Sequence, residues 1–197
     1  MGAKKFRMNN WFKTVLGLGF ISLMLAACSS ASGTPPAKWA SNYCSSMYTW
    51  YSQAQNDTNG FESLIHNQTD PSQIKTEAQN FLQGEVSQLQ ALQSKVKANG
   101  SPSVADGTKL HNLLTLALTK YGQVLQGAQN TLAPISTSSI TNLANVFEQI
   151  GTSLDSAQRT LGKTLLSIGQ LSTSSSDQPL AQALNSNKYC KTLRASK

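Results

Sequence analysis

Asp70-Pro71-Ser72-Gln73-Ile74 opens the stretch whose reading decides the fold; Ala78, Phe81, Leu82, Val86, Leu89, Leu92 and Val96 follow, and Asn99-Gly100-Ser101-Pro102 closes it. An aspartate side chain satisfies free backbone N–H groups at a helix start, and proline suits the first helical position because its missing donor would have no partner there. Gln73, three residues after the cap, has the position from which a side chain reaches back in a capping box. The apolar residues then recur every three or four positions, which gathers them on one face of a helix. Asparagine and glycine tolerate the backbone turn that ends a helix, and a proline just beyond cannot continue it. The stretch predicts a helix over 71–99 with one face in a core.

The same reasoning carries outward in both directions. From about Val104 to Leu132 the stripe Leu110, Leu114, Ala117, Tyr121, Val124, Ala128 and Leu132 predicts a third helix, closed by Pro134. Extra leucines at 113, 116, 118 and 125 widen its face enough to touch two neighbours. A fourth helix begins after the cap-forming Ser136–Ser139. Its seam is Ile140, Leu143, Phe147, Ile150, Leu154, Ala157 and Leu161, with Leu165 and Ile168 beyond, and Gly151, Gly162 and Gly169 weaken it locally.

Before the deciding stretch, Pro36 opens a first helix with Trp39, Tyr43, Met47, Trp50 or Tyr51, and Ala54 at helical spacing. Cys44 falls at the edge of that stripe. Residues 56–60 are expected to break it. After the polar run Ser172–Ser176, Asp177 and Pro179 open a short last segment carrying Leu180, Leu184, Tyr189, Cys190 and Leu193.

No segment has the alternation and β-branched richness of a strand. The fold expected is therefore all-α, an antiparallel up-down-up-down four-helix bundle with a short C-terminal helix. Short connections favour antiparallel neighbours, and in that arrangement the first and fourth helices lie side by side.

At the N-terminus, Lys4, Lys5, Arg7 and Lys13 precede an uncharged apolar run, Val15–Ala27, which has the layout of a secretory signal and is short for a bilayer span. The run ends in Leu25-Ala26-Ala27-Cys28, and these four positions resemble the lipobox of bacterial lipoproteins. That resemblance implies transfer of a diacylglyceryl group to the Cys28 thiol, cleavage before it, and often acylation of the new amine. Two or three acyl chains anchor a protein stably where one holds it only marginally. In overall plan the chain is also similar to small helical lipoproteins of actinobacteria and related bacteria, a group that supplies no catalytic residue to carry over. The expected divisions are a signal peptide over 1–27, a lipidated flexible tether over 28–35 and a helical bundle over 36–197. The location expected is the cell membrane, lipid-anchored, with the domain outside the cytoplasm.

Losing residues 1–27 leaves 170 residues, enough for one core, and reduces the charge from +7 to +3 by removing four cations. Such weak basicity gives no case for nucleic acid. The cations are spread along the chain except for Lys188, Lys191, Arg194 and Lys197, where a solvated helix end is the plainer reading than a binding patch. Two cysteines remain besides Cys28, namely Cys44 and Cys190, in a compartment where thiols oxidise. A disulfide joining the two ends of the domain is the expectation. Free thiols and a metal-binding pair are the alternatives, and the latter lacks nearby ligands of suitable spacing.

Chemistry has little to work with, since the chain holds nine acids and two histidines. Glu62 and His66, four apart, share a helix face, and His111 is the only other imidazole, so a metal site would draw on these three. There is no Gly-x-Ser-x-Gly elbow, phosphate loop or dinucleotide fingerprint. No cofactor, catalytic residue or resident metal is expected. The function expected is a non-enzymatic envelope lipoprotein, binding or structural, held by the membrane through Cys28 and meeting another protein or an envelope component. The alternative is a small-ligand module with an aromatic pocket near Trp39, Trp50 and Tyr51.

Overall fold

The computed structural model describes residues 33–66, 68–138, 140–171 and 177–195, without the side chains of 140, 162–171 and 194–195. The leader, Cys28, most of the tether and the serine run 172–176 lie outside the described residues. So do the side chains of Leu165 and Ile168.

Six helices account for nearly all of what is described: α1 Pro36–His66, α2 Pro71–Asn99, α3 Gly107–Leu132, α4 Ile140–Leu171, α5 Gln178–Ser186 and α6 Lys188–Ala195. No strand occurs among the described residues. The only ladder-like contact there is an isolated parallel bridge between Thr34 and Pro102. The all-α expectation is met.

α2 forms as its sequence dictates. Asp70 Oδ1 accepts from the Ser72 amide at 2.8 Å, and Pro71 occupies the first turn. The helix stops at Gly100, whose φ of 65° is a left-handed value that glycine adopts without a steric penalty. Ile74, Ala78, Leu82, Val86, Leu89, Leu92 and Val96 are all buried.

Three local expectations change. α1 runs unbroken through 56–60, because a face continuing through Ala54 and the buried Thr58 to the Phe61–Phe81 stack on α2 outweighs the poor helix propensity of Asn-Asp-Thr-Asn-Gly. α3 begins at Gly107 rather than near Val104, where the chain is still turning. The last segment makes two helices instead of one. They part at Asn187, which is extended and whose Oδ1 accepts from the amides of Tyr189 and Cys190 to start α6.

Neighbouring helices meet in chain order: α1 on α2, α2 on α3, α3 on α4. The first two of these pairings run in opposite senses. Trp39 meets Gly100 while Phe61 meets Phe81, and Gln93 meets Leu118 while Gln83 meets Gln129. The expectation that α1 and α4 lie side by side is not met. α5 and α6 pack on α1 instead, whereas α4 rests mainly on α3 and only slightly on α2. The cause is apolar residues that need cover: Leu180, Leu184 and Leu193 are 5 % exposed or less and occupy the flank of α1 that a fourth helix would take.

Candidate functional site

Where the polypeptide joins the bundle, short contacts lock α1 to the α2–α3 connection. Thr34 N donates to Ser101 O and Ser103 N to Thr34 O, each at 2.8 Å, while the Thr34 hydroxyl donates to Asn99 O. Asn99 Nδ2 donates to Trp39 O, Asn99 Oδ1 accepts from Asn42 Nδ2, and Trp39 Nε1 donates to Gly100 O at 2.7 Å. Gly107 is required here, because a Cβ on it would stand 1.9 Å from Pro102 O. The expected tether is thus already fastened at Thr34, before α1 begins.

Beside this junction Cys44 and Cys190 form a disulfide, S–S 2.07 Å and Cα–Cα 5.1 Å. It ties α6 to α1, with Tyr48 and Tyr189 tilted against each other at 5.3 Å. Cys44 is fully buried rather than at the edge of the stripe. The buried face of α1 runs through Ala40, Cys44, Met47, Tyr51, Ala54 and Thr58 because α5 and α6 cover that side.

The three aromatic candidates do not make one pocket. Trp39 is 1 % exposed, stacked on Tyr43 and bonded to Gly100. Tyr51 is buried, and its hydroxyl accepts from Gln55 Nε2 at 2.6 Å. Trp50 stands apart from them, half-buried, its ring edge-on to Tyr121 of α3. It lines a groove of about 290 Å³ between α1 and α2 together with Ser46, Gln53, Ser87, Gln88 and Lys95. Trp39 and Trp50, eleven residues apart, are separated by about 16 Å along the helix axis.

Nor do Glu62, His66 and His111 converge. Glu62 and His66 sit in the last turns of α1, whereas His111 follows the start of α3, at the end of the bundle where α1 begins. Roughly 35 Å of helix lies between them, so a shared metal is out of reach. No group of three or more histidine, cysteine or carboxylate side chains suited to a metal occurs among the described residues.

One arrangement was not visible in the sequence: a polar layer crossing the apolar core at mid-height. Glu85 is 3 % exposed and Gln158 of α4 is 4 % exposed. Gln88 Nε2 donates to Asp57 Oδ2 of α1. The Tyr121 phenol interacts with both Gln158 and Glu85. Glu85 Oε1, Gln88 Oε1, Gln158 Oε1 and Trp50 Nε1 are buried without hydrogen-bond partners, three acceptors to one donor. Burial first, and the Asp57 charge second, push the Glu85 carboxyl up to about 7. A proton held there converts one acceptor of the layer into a donor. Burial also raises the Tyr121 phenol, opposed by its Gln158 bond and reinforced by the Glu85 charge.

The lipidation candidate Cys28 lies outside the described residues. No helix among the described residues is long and apolar enough to cross a membrane. Comparison with protein families, with characterised proteins and with solved structures finds no match.

Proposed function

We propose that the chain is a lipid-anchored, non-enzymatic module of the cell envelope, an up-down-up-down helical bundle outside the cytoplasm that meets a protein or an envelope component. The observation that carries this reading is the Cys44–Cys190 bridge, 146 residues apart in sequence, which seals the C-terminal helices onto α1. Long-lived bridges belong to oxidising compartments. An export signal ending in Leu25-Ala26-Ala27-Cys28 agrees with such a location. The Trp50 groove supports the second reading, a small-ligand module, in a narrower form: one ring with polar neighbours, without Trp39 or Tyr51.

Cys28→Ala tests the anchor. Membrane fractionation and mass spectrometry should find the wild-type protein beginning at a lipid-bearing Cys28, and the variant uncut there and carrying no lipid. A variant still cut before residue 28 and equally retained on membranes would overturn the lipoprotein reading.

A further inference from the structure

Lysines that are spread along the sequence are gathered by the fold at one end of the bundle. Three exposed cations mark that end directly: Lys38 in the first turn of α1, Lys97 in the last turn of α2 and Lys109 in the first turn of α3. Helix pairing brings them together, since Trp39 bonds to Gly100 and Thr34 is laced to Ser101 and Ser103. Lys188 and Lys191, also exposed, lie on α6, which the bridge to Cys44 fixes about 12 Å along α1 from its start. Against them the same end has Asp106 and Asp177, and Asp177 is buried, with its Oδ1 accepting from the Asp106 amide.

The opposite half carries the other sign. Asp57 and Glu62 are late in α1, Asp70 and Glu77 are at the start of α2, and Glu148 is early in α4. Lys75 of that half is engaged, donating to Ala133 O and Ile135 O at the end of α3. The chain is therefore polarised along its length although its mature net charge is small.

We infer that the basic end, formed by Lys38, Lys97 and Lys109 and flanked by Lys188 and Lys191, is a docking surface for an anionic lipid bilayer. The inference rests on the anchor reading in one respect, the distance available. Gly33 stands five positions after Cys28, and a fully extended chain of that length spans about 17 Å. Thr34 is fastened to the α2–α3 connection, so a lipid on Cys28 holds this end, and not the acidic one, against the headgroups. Lysines near an anionic surface add attraction that falls off within a Debye length, about 8 Å at physiological salt, and so short a tether lets this end come that close. The acidic half then points away from the bilayer, turned toward whatever the module meets.

The test uses the protein isolated from whichever cell fraction holds it, its N-terminus read by mass spectrometry, with vesicles of phosphatidylcholine made with or without phosphatidylglycerol. Lysine reactivity toward an amine label is read residue by residue. On anionic vesicles Lys38, Lys97 and Lys109 should lose reactivity by about tenfold and regain it in high salt, while Lys120, mid-way along α3, should not change. The combined variant K38Q/K97Q/K109Q, its folding checked by circular dichroism, should lose its preference for anionic over neutral vesicles. Equal labelling on both vesicles, or an undiminished preference in the variant, overturns the surface. Protein without lipid on Cys28 overturns the anchor alone: if the three lysines are still protected the surface stands, and if they are not it falls with the anchor.

Discussion

Glu85 is the residue whose chemistry departs furthest from what its place in the sequence implies. In the unfolded chain its carboxyl titrates near 4.5; in the bundle, burial and the Asp57 charge hold it at about 7. Between those values the folded chain keeps a proton that the unfolded chain releases. This contribution to stability is therefore full below about pH 4.5, declines as pH rises toward 7 and is gone above it, a span on the order of 3 kcal/mol. Glu85→Gln keeps the shape and removes the titration. Urea unfolding at pH 5.5 and pH 8 should show the wild type losing stability between the two and the variant losing much less, with the variant the more stable at pH 8. A variant as pH-sensitive as the wild type would place the titration elsewhere. The sequence signals this poorly, because a glutamate beside Val86 and three positions from Leu82 reads as the edge of an apolar face until the helices opposite it are known.

At the scale of elements, the C-terminal hairpin of α5 and α6 decides the architecture. Each helix is only eight or nine residues long, too short to be stable alone, and each depends on α1 for burial of Leu180, Leu184 and Leu193. The bridge to Cys44 adds a constraint on the unfolded chain which, on the loop-entropy model for so long a loop, contributes about 5 kcal/mol at most. Reduction should lower the melting temperature and speed amide exchange over 177–195 while leaving most of the helical signal. Cys44→Ser and Cys190→Ser should each reproduce this, and the double variant should be no worse than either, since the two thiols act as one unit. Undiminished exchange protection in reduced α5 and α6 would mean that packing alone holds them. The boundaries of α2 were legible because its caps are local chemistry. The continuity of α1 through 56–60 was not, because the Phe61–Phe81 stack that sustains it is a contact between helices.

At the scale of the molecule, α1, α2 and α3 share one core, with α4 closing one side and α5 and α6 the other. Trp39 reports on the junction end and Trp50 on mid-height, so tryptophan fluorescence and helical circular dichroism should unfold at one common midpoint. Separate midpoints would divide the core into parts. The sequence by itself determined the all-helical class and the bounds of α2, through apolar spacing, Asp70-Pro71 and Asn99-Gly100, since those signals act within a few residues along one chain. It also limited the disulfide to one pair once Cys28 was set aside, because only two cysteines remained. Only the tertiary structure decided that α5 and α6 take the flank of α1, that Glu62 and His66 lie an entire helix away from His111, that Glu85, Asp57, Tyr121 and Gln158 form one layer, and that Lys38, Lys97 and Lys109 share an end. The reason is physical: local propensity and capping are settled by neighbours in sequence, whereas burial, shifted ionisation and the sign of a surface depend on which faces meet, and that follows from the competition of all the helices for one core.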